Sequence, residues 1–204
     1  MAPLPTQPDP DLPLVRAIQA GDTRAWSGLL ARYQDRLFAV CYRMVPDRTT
    51  AADLTQDAMV KIIQGLTSFD GTAKVSTWMI RVTMNVCLSH LRGAKLRRHA
   101  SLEATSSGSE RGAIADRLAS GEPGVDQGVQ QQEALRLVAA GLDRLEAEQR
   151  AILVLRDVRG LDYDQIAEIL GTAVGTVKSR LFRARAALRD AVKELKGDSE
   201  RADQ

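Results

Sequence analysis

The segment GLDYDQIAEILGTAVGTVKSRLFRAR, residues 160–185, predicts two short helices joined by a tight turn. Asp162 and Gln165 stand at the spacing of a capping box, which begins a helix. Gly160 and Gly171 suit the left-handed backbone that ends a helix. After Gly171, apolar residues recur at intervals of three and four, namely Val174, Val177, Leu181, Ala184 and Leu188. This pattern predicts helix-turn-helix geometry.

The outer face of the second predicted helix is polar and basic. It carries Thr176, Lys178, Ser179, Arg180 and Arg183. In a helix-turn-helix the second helix enters the DNA major groove, where arginine pairs with guanine and hydroxyls bond base edges or phosphates. We therefore predict a duplex-DNA surface. The alternative is an αα-hairpin with a solvated basic face. It is less favoured because the caps, the turn and the exposed charges all fit the same helix-turn-helix arrangement.

Composition and periodicity predict an all-α fold. The chain has 204 residues, 44% hydrophobic and 26% charged, which is typical of a foldable protein. Aromatic residues make up only 4%, and alternating apolar runs are scarce, so an all-β sandwich is disfavoured. Helical spacing recurs over residues 14–44, 50–66, 77–98 and 133–196. We expect two small helical domains joined by a flexible linker.

The domain boundaries follow from changes in composition. We expect a proline-rich disordered tail over 1–11, a first domain over 12–98, an acidic flexible linker over 99–131, a second domain over 132–196 and a tail over 197–204. In the linker, acidic residues outnumber basic ones: Glu103, Glu110, Asp116, Glu122 and Asp126 against Arg111 and Arg117.

Charge is distributed unevenly, although the net charge of +2 is small. No acidic residue lies between Asp70 and Glu103, or between Glu168 and Asp190, and each stretch contains five or more basic residues. Either stretch alone could be a solvated helix face. Together, one in each domain, they favour two contacts with one polyanion.

The helix predicted to begin near Thr77 carries a second nucleic-acid candidate. Trp78, Arg81, Asn85 and Arg92 share one face of it. Aromatic, amide and guanidinium groups without acids suit single-stranded nucleic acid, which offers stacking faces and phosphates. A core position is the favoured role for the Trp78 indole. Phe69, in the preceding loop, is an exposed stacking candidate or, equally, a buried anchor of that loop.

The sequence disfavours an enzyme. His90 and His99 are the only histidines, and neither a glycine-rich phosphate loop nor a carboxylate pair is evident. Cys41 and Cys87 are expected to be reduced, buried thiols, and Cys87 with His90 supplies too few ligands for zinc. We expect no cofactor and no metal. Neither a membrane span nor a signal peptide is apparent, so a cytoplasmic location without membrane insertion is expected.

Three segments together resemble a known family. They are DLTQDAMVKI (53–62), STWMIRVTMN (76–85) followed by HLRGAKLRR, and residues 160–185. The combination is similar to the extracytoplasmic-function (ECF, group IV) sigma factors of bacterial RNA polymerase, over about residues 12–98 and 133–193. Two unrelated motifs in the right order, with a linker between them, make this resemblance specific.

The resemblance implies a function and a role for each domain. The first domain, sigma region 2, would bind core polymerase and the −10 promoter element, and the second, sigma region 4, would bind the −35 element. The protein would direct polymerase to specific promoters and promote DNA melting, in a stress or envelope response under an anti-sigma factor. The partners implied are promoter DNA, an anti-sigma factor, and the coiled coil of the largest subunit and the flap of core polymerase.

Residue roles follow from the same resemblance. Asp53, Gln56 and Asp57 would meet the polymerase coiled coil. Phe69 and Asn85 would hold a base flipped out of the −10 element, with Lys61 nearby. Trp78, Arg81 and Arg92 complete the expected −10 surface, and Thr176, Lys178, Ser179, Arg180 and Arg183 form the expected −35 surface.

Two other functions stay open at this level. A helix-turn-helix regulator could bind duplex DNA without polymerase, using its first domain as a sensor, although a sensor would not need the DLTQD face or the acid-free helix. A helical adaptor would bind no nucleic acid. Co-purification with core polymerase would distinguish a sigma factor from the first alternative. Salt-dependent DNA binding would distinguish it from the second.

Overall fold

The structure, a computed structural model, describes residues 9–102 and 128–202. All regular elements in these residues are helical. They are α1 (Leu12–Gln19), α2 (Arg24–Met44), α3 (Arg48–Leu66), α4 (Val75–Leu102), α5 (Gly128–Arg144), α6 (Ala147–Leu153), a π-helical segment (Val154–Val158), α7 (Tyr163–Leu170) and α8 (Val174–Ala202). The predicted all-α fold is confirmed. The predicted linker falls mostly on residues 103–127, which lie outside the described residues.

Helices α1 to α4 form a bundle around the apolar stripe of α2. Leu29, Tyr33 and Leu37 are buried against Ile62 and Leu66 of α3, and α4 closes this core with Val75 and Met79. The 3.6-residue repeat places those side chains on one face of each helix. The first helical domain therefore has a core of its own.

Helix α3 begins two residues after Pro46. Its first residue is Arg48, and the side chain of Asp47 caps it. The Asp47 carboxylate accepts from the Thr50 amide at 2.6 Å and the Thr50 hydroxyl at 2.7 Å. These bonds favour the charged carboxylate and lower the pKa of Asp47.

Residues 9–11, expected in a disordered tail, pack against the bundle. Asp11 is 5% exposed and accepts hydrogen bonds from Arg32 and the Tyr33 hydroxyl. Burial, and then the bond to Asp11, raise the pKa of Tyr33, so the phenol keeps its proton. Asp9 accepts from the Val75 amide at 2.6 Å and so holds the start of α4. Two acidic side chains tie this segment down, which proline content alone does not indicate.

The second domain packs α5 and α6 against the long helix α8. At the crossing of α5 and α8, a β-carbon on Gly141 would lie 2.8 Å from Cγ2 of Val192 and 3.1 Å from Cδ1 of Leu188. Only glycine permits this approach. The guanidinium of Arg185 on α8 bonds Asp157 of the π-helical segment at 2.5 and 3.2 Å, which further fixes α8.

The two domains pack directly against each other through one apolar core. On α4, Ile80, Met84 and Leu88 are buried in the same cluster as Leu145, Ile152 and Ile166 of the second domain. Helices α6 and α7 both contact α4. The sequence predicted two tethered domains and gave no indication of this interface.

Arg150 of α6 anchors the domain interface. It is 6% exposed, and its guanidinium donates to the Met44 carbonyl at the end of α2 at 2.6 Å. It also donates to the carbonyls of Asp143 at 2.9 Å and Leu145 at 3.3 Å. A buried charge is tolerated when its hydrogen bonds are made, so Arg150 fixes the two domains in one register.

We predict that Gly141→Ala lowers the free energy of unfolding by about 1–3 kcal/mol, because overpacking forces the stiff Val192 side chain to move. Gly28→Ala in α2 is the matched control: nothing lies within 4 Å of its β-carbon, so helix propensity should raise stability by about 0.5–1 kcal/mol. Urea denaturation checks both. Equal stabilisation by the two substitutions would contradict the close α5–α8 approach.

Candidate nucleic-acid interface

The turn between α7 and α8 has the predicted geometry. Asp162 accepts from the Gln165 amide at 2.8 Å, and the Gln165 side chain accepts from the Asp162 amide at 3.0 Å, which completes the capping box. Gly160 and Gly171 have φ of 68° and 61°. Ile166 and Ile169 bury the inner face of α7. These features orient α8 relative to α7 in the helix-turn-helix arrangement.

The outer face of α8 presents the polar residues predicted there. Lys178, Ser179 and Arg183 are exposed, while Thr176 and Arg180 are half-buried. Val177, Leu181 and Ala184 hold the opposite face in the core. The structure therefore brings the five predicted −35 residues together on one helix.

The contacts of this face divide its charges into paired and available ones. Arg180 lies 3.4 Å from Glu148 of α6, and Glu148, Gln149, Arg180 and Arg183 line a cleft of about 290 Å³. Among the hydrogen bonds of the described residues, the Arg183 guanidinium makes one, to the Ser179 carbonyl of its own helix at 3.4 Å. Its guanidinium is therefore better placed than that of Arg180 to meet a ligand.

Phe182 is an exposed aromatic residue that the sequence analysis missed. Its side chain is 73% exposed, next to Arg183 in sequence and one turn after Lys178. A phenylalanine in a helix with an apolar repeat is easily assigned to the core. The spacing of the repeat could have shown its exposure, because Leu181 and Ala184 already occupy the inner face of α8.

Helix α4 carries the second predicted surface, of which one side is open and one is covered. Asn85 and Arg92 are exposed. Arg81 is half-buried and its guanidinium donates to Glu168 of α7 at 2.9 Å. Thr77, one turn before Arg81, is buried and its hydroxyl lies 3.4 Å from the Gln165 amide group. Helix α7 thus covers the first turns of the α4 face.

Phe69 is buried, contrary to the exposed alternative. Its side chain is 6% exposed, and its ring lies 5.3 Å from that of Trp78, centroid to centroid. Gln19 of α1 donates to the Phe69 carbonyl at 2.8 Å. The Trp78 indole, half-buried, rests on Gly65 of α3, where a β-carbon would lie 3.1 Å from the ring. Both aromatics therefore anchor the loop before α4 in this conformation.

Helix α3 presents the acidic face expected for a protein partner. Asp53, Gln56, Asp57 and Lys61 are all exposed. Val60 and Ile63, which the sequence analysis did not single out, are 51% and 40% exposed on the same helix. A mixed acidic and apolar helix surface is typical of protein interfaces rather than of nucleic-acid contacts.

Comparisons with known proteins find one family model in each domain. The family model Sigma-70 region 2 matches residues 29–97, and Sigma-70, region 4 matches residues 135–188. The chain is 32% identical over 185 residues to the RNA polymerase sigma-H factor of Pseudomonas aeruginosa, covering 91% of this chain and 95% of that protein. The chain belongs to the ECF sigma factors.

Other relatives give the same family. The ECF RNA polymerase sigma-E factor of Escherichia coli K12 is 33% identical over 186 residues, covering 91% of this chain and 95% of that protein. Among solved structures, the sigma factor RpoE of Bartonella quintana, in complex with the anti-sigma factor NepR, matches with a TM-score of 0.64 and 24% identity, over 84% of this chain and 98% of that one. The latter shares the fold.

As an ECF sigma factor, the protein acts in promoter-specific transcription initiation. The region 2 match lies in the first domain, within α2 to α4, and the region 4 match lies in the second domain, from α5 into α8. Within the described part of the chain, His, Cys, Asp and Glu side chains do not gather in groups of three or more that could hold a metal ion. None of the described helices combines the length and hydropathy needed to cross a bilayer.

We predict that Phe69→Ala lowers the free energy of unfolding by about 3–5 kcal/mol, since it removes a buried ring from the Trp78 contact. Asn85→Ala, an exposed site on α4, should change it by less than about 0.5 kcal/mol. Thermal or urea unfolding of both variants checks this. If Phe69→Ala were as stable as Asn85→Ala, the loop anchor would be wrong.

Proposed function

We propose that this sigma factor recruits core RNA polymerase through the α3 face of region 2 and reads two promoter elements with α4 and α8. The observation that carries the proposal is the pairing of two helices with basic, acid-free outer faces, one in each domain, with a separate acidic and apolar face on α3. It would act as a binding protein rather than an enzyme, in the cytoplasm, where its polymerase and promoter partners are.

The α8 face suits recognition of the −35 duplex. Arg183 and Ser179 are exposed at the position from which an HTH recognition helix reaches base edges. Lys178 lies 5.6 Å above the Tyr163 ring, which orients its ammonium group beside the same face. Thr176 and Arg180, half-buried, lie at the edge of this face nearer to α6. We assign the −35 contacts to this set.

We predict that Arg183→Ala weakens binding to a cognate −35 duplex by about 1–3 kcal/mol and weakens binding to a scrambled duplex less, if the residue reads a base. Arg189→Ala is the matched control, because Arg189 is exposed on another side of α8. Fluorescence anisotropy at two salt concentrations checks this. An equal loss for both duplexes would reassign Arg183 to a phosphate contact.

The α4 face suits the −10 element once its strands separate. Asn85 can hydrogen-bond a base edge, and Arg92 and Lys61 can meet phosphates. The expected stacking ring, Phe69, is buried against Trp78. A role for Phe69 in holding a flipped base therefore requires the loop before α4 to rearrange, and Arg81 must leave Glu168.

The closed arrangement of the two regions cannot serve both elements at once. About 25 base pairs separate positions −35 and −10, a span of about 85 Å at roughly 3.4 Å per base pair. A folded chain of 204 residues has a diameter on the order of 45 Å. We therefore propose that the interface between α4 and α7 opens when the protein engages polymerase and promoter.

The α3 face suits the coiled coil of the largest polymerase subunit. Asp53, Gln56 and Asp57 supply charge complementarity to a basic helix surface, and Val60 with Ile63 supplies apolar area that water would otherwise cover. The flap of the polymerase is the expected second contact, with region 4.

We predict that Asp57→Arg weakens binding to core polymerase at least tenfold, because a like charge would face the basic partner surface. Asp35→Arg, an equal charge change at an exposed site of α2, should leave the affinity within about twofold. A titration against immobilised core enzyme measures both. Equal affinities of the two variants would remove the α3 assignment.

A groove between the two regions suits an anti-sigma partner. Its volume is about 370 Å³, and it is lined by Tyr42, Arg43, Leu135, Val138, Ala139, Leu142, Asp157 and Val158. Burial, and then the nearby Arg36 and Arg43, lower the pKa of Arg159 beside it, while Asp157 is already bound to Arg185. Apolar walls with surplus positive charge favour an acidic amphipathic helix that bridges both regions. Such a partner would hold the closed form until a stress or envelope signal releases it.

Run-off transcription tests the proposed function as a whole. Core polymerase with this protein and its own upstream region as template should give a discrete transcript that core polymerase alone does not give. A duplex-DNA regulator without polymerase binding would shift the DNA but give no transcript. An adaptor would do neither.

A further inference from the structure

Two cysteines that the promoter and polymerase surfaces do not use lie in contact inside region 2. Cys41 of α2 and Cys87 of α4 are both fully buried, and their Sγ atoms are 3.6 Å apart. The two cysteines are 46 positions apart in the sequence, yet their side chains face each other between α2 and α4. The pair is therefore one chemical unit.

We propose that Cys41 and Cys87 form an oxidisable dithiol that hydrogen peroxide converts to a disulfide joining α2 to α4. Neither promoter reading nor polymerase binding calls for such a pair. The site is a modification site within region 2, and its chemistry is independent of the proposed function.

The surroundings give the two sulfurs different roles. The Cys87 thiol donates to Cys41, and this bond, with a smaller contribution from the Thr55 hydroxyl, lowers the pKa of Cys41 against the effect of burial. The bond to Cys41, and then burial, raise the pKa of Cys87. The lower pKa favours Cys41 as the attacking sulfur and leaves Cys87 as the resolving one.

The reaction balances with peroxide as the two-electron oxidant. The Cys41 thiolate attacks one peroxide oxygen, the O–O bond breaks, and protonation of the departing hydroxide gives water and a Cys41 sulfenic acid. The Cys87 sulfur then attacks the Cys41 sulfur and displaces hydroxide, which takes the Cys87 proton and leaves as a second water. One peroxide and two thiols give one disulfide and two waters.

The packing permits the bond with a small movement. The two sulfurs must approach from 3.6 Å to about 2.05 Å. Ala51 and Ala58 of α3 belong to the same cluster and are small. Because both thiols are buried, peroxide reaches them only during local opening of the helices, so oxidation is slow and the bond, once formed, is protected.

The position links the dithiol to the domain interface. Met44, whose carbonyl accepts from Arg150, lies one turn after Cys41, and Met84, in the shared core, lies one turn before Cys87. A covalent tie here constrains the part of region 2 on which region 4 packs. The tie should also raise the melting temperature, because it restricts the unfolded chain.

The test uses the full-length protein. Treatment with hydrogen peroxide, then denaturation and alkylation, should show loss of both free thiols and a linked pair of peptides about 2 Da lighter than their sum. The melting temperature should rise and return after reduction. Cys87→Ser should leave a Cys41 sulfenic acid that dimedone traps, whereas Cys41→Ser should give no adduct at Cys87 under the same conditions.

Three results would overturn the proposal. The first is that both thiols can still be alkylated after a peroxide treatment that oxidises a free cysteine peptide. The second is a disulfide that forms only between two chains. The third is oxidation to sulfinic or sulfonic acid without a linked pair of peptides. Peptide mapping of the unsubstituted protein decides this even if a serine variant fails to fold. The assay contains no polymerase or DNA, so its outcome is separate from that of the transcription assay.

Discussion

The burial of α4 on two sides is the constraint on which the rest of the structure depends. One side completes the region 2 core with Val75 and Met79, and another, with Ile80 and Met84, enters the core shared with region 4. The remaining side carries Asn85 and Arg92 toward solvent. The helix that we propose to face the promoter is therefore also the helix that holds the two regions together.

The forces across this interface are of the kind that a partner can replace. Arg81 with Glu168 and Lys95 with Glu146 are ion pairs whose side chains are at least a third exposed, and such pairs stabilise a contact by only about 0–1 kcal/mol. The apolar core supplies most of the attraction. In the proposed open form, Arg150 would lose the Met44 carbonyl but keep those of Asp143 and Leu145. The buried charge thus retains bonds in an open form.

Local signals made the helices and much of the site predictable. Asp162, Gln165 and the two glycines at 160 and 171 act within a few residues, so the sequence alone was enough to place α7 and the turn. The outer face of α8 followed from the same frame. On α3, exposure of Asp53, Gln56 and Asp57 followed from the helical repeat.

What the sequence did not predict depends on distant contacts. Phe69 is buried because Trp78, Gly65 and Gln19 come together around it, and Arg81 is paired because α7 docks on α4. Asp11 is ordered by Arg32 and Tyr33, more than twenty residues away. The functions of the site residues stay predictions, because they depend on contacts with DNA and polymerase and the contacts described above are all within the chain.

A reversible lock across the interface tests most directly whether the closed form must open. Lys95 and Glu146 lie 3.2 Å apart, are well exposed and belong to none of the predicted binding sets, so Lys95→Cys with Glu146→Cys offers two reactive thiols for a short, reducible bis-methanethiosulfonate linker. The two single variants, treated identically, are the controls. We expect the linked protein to lose run-off transcription and to recover it on reduction, while both controls stay active. Full transcription by the protein while it remains linked would show that the two regions need not separate.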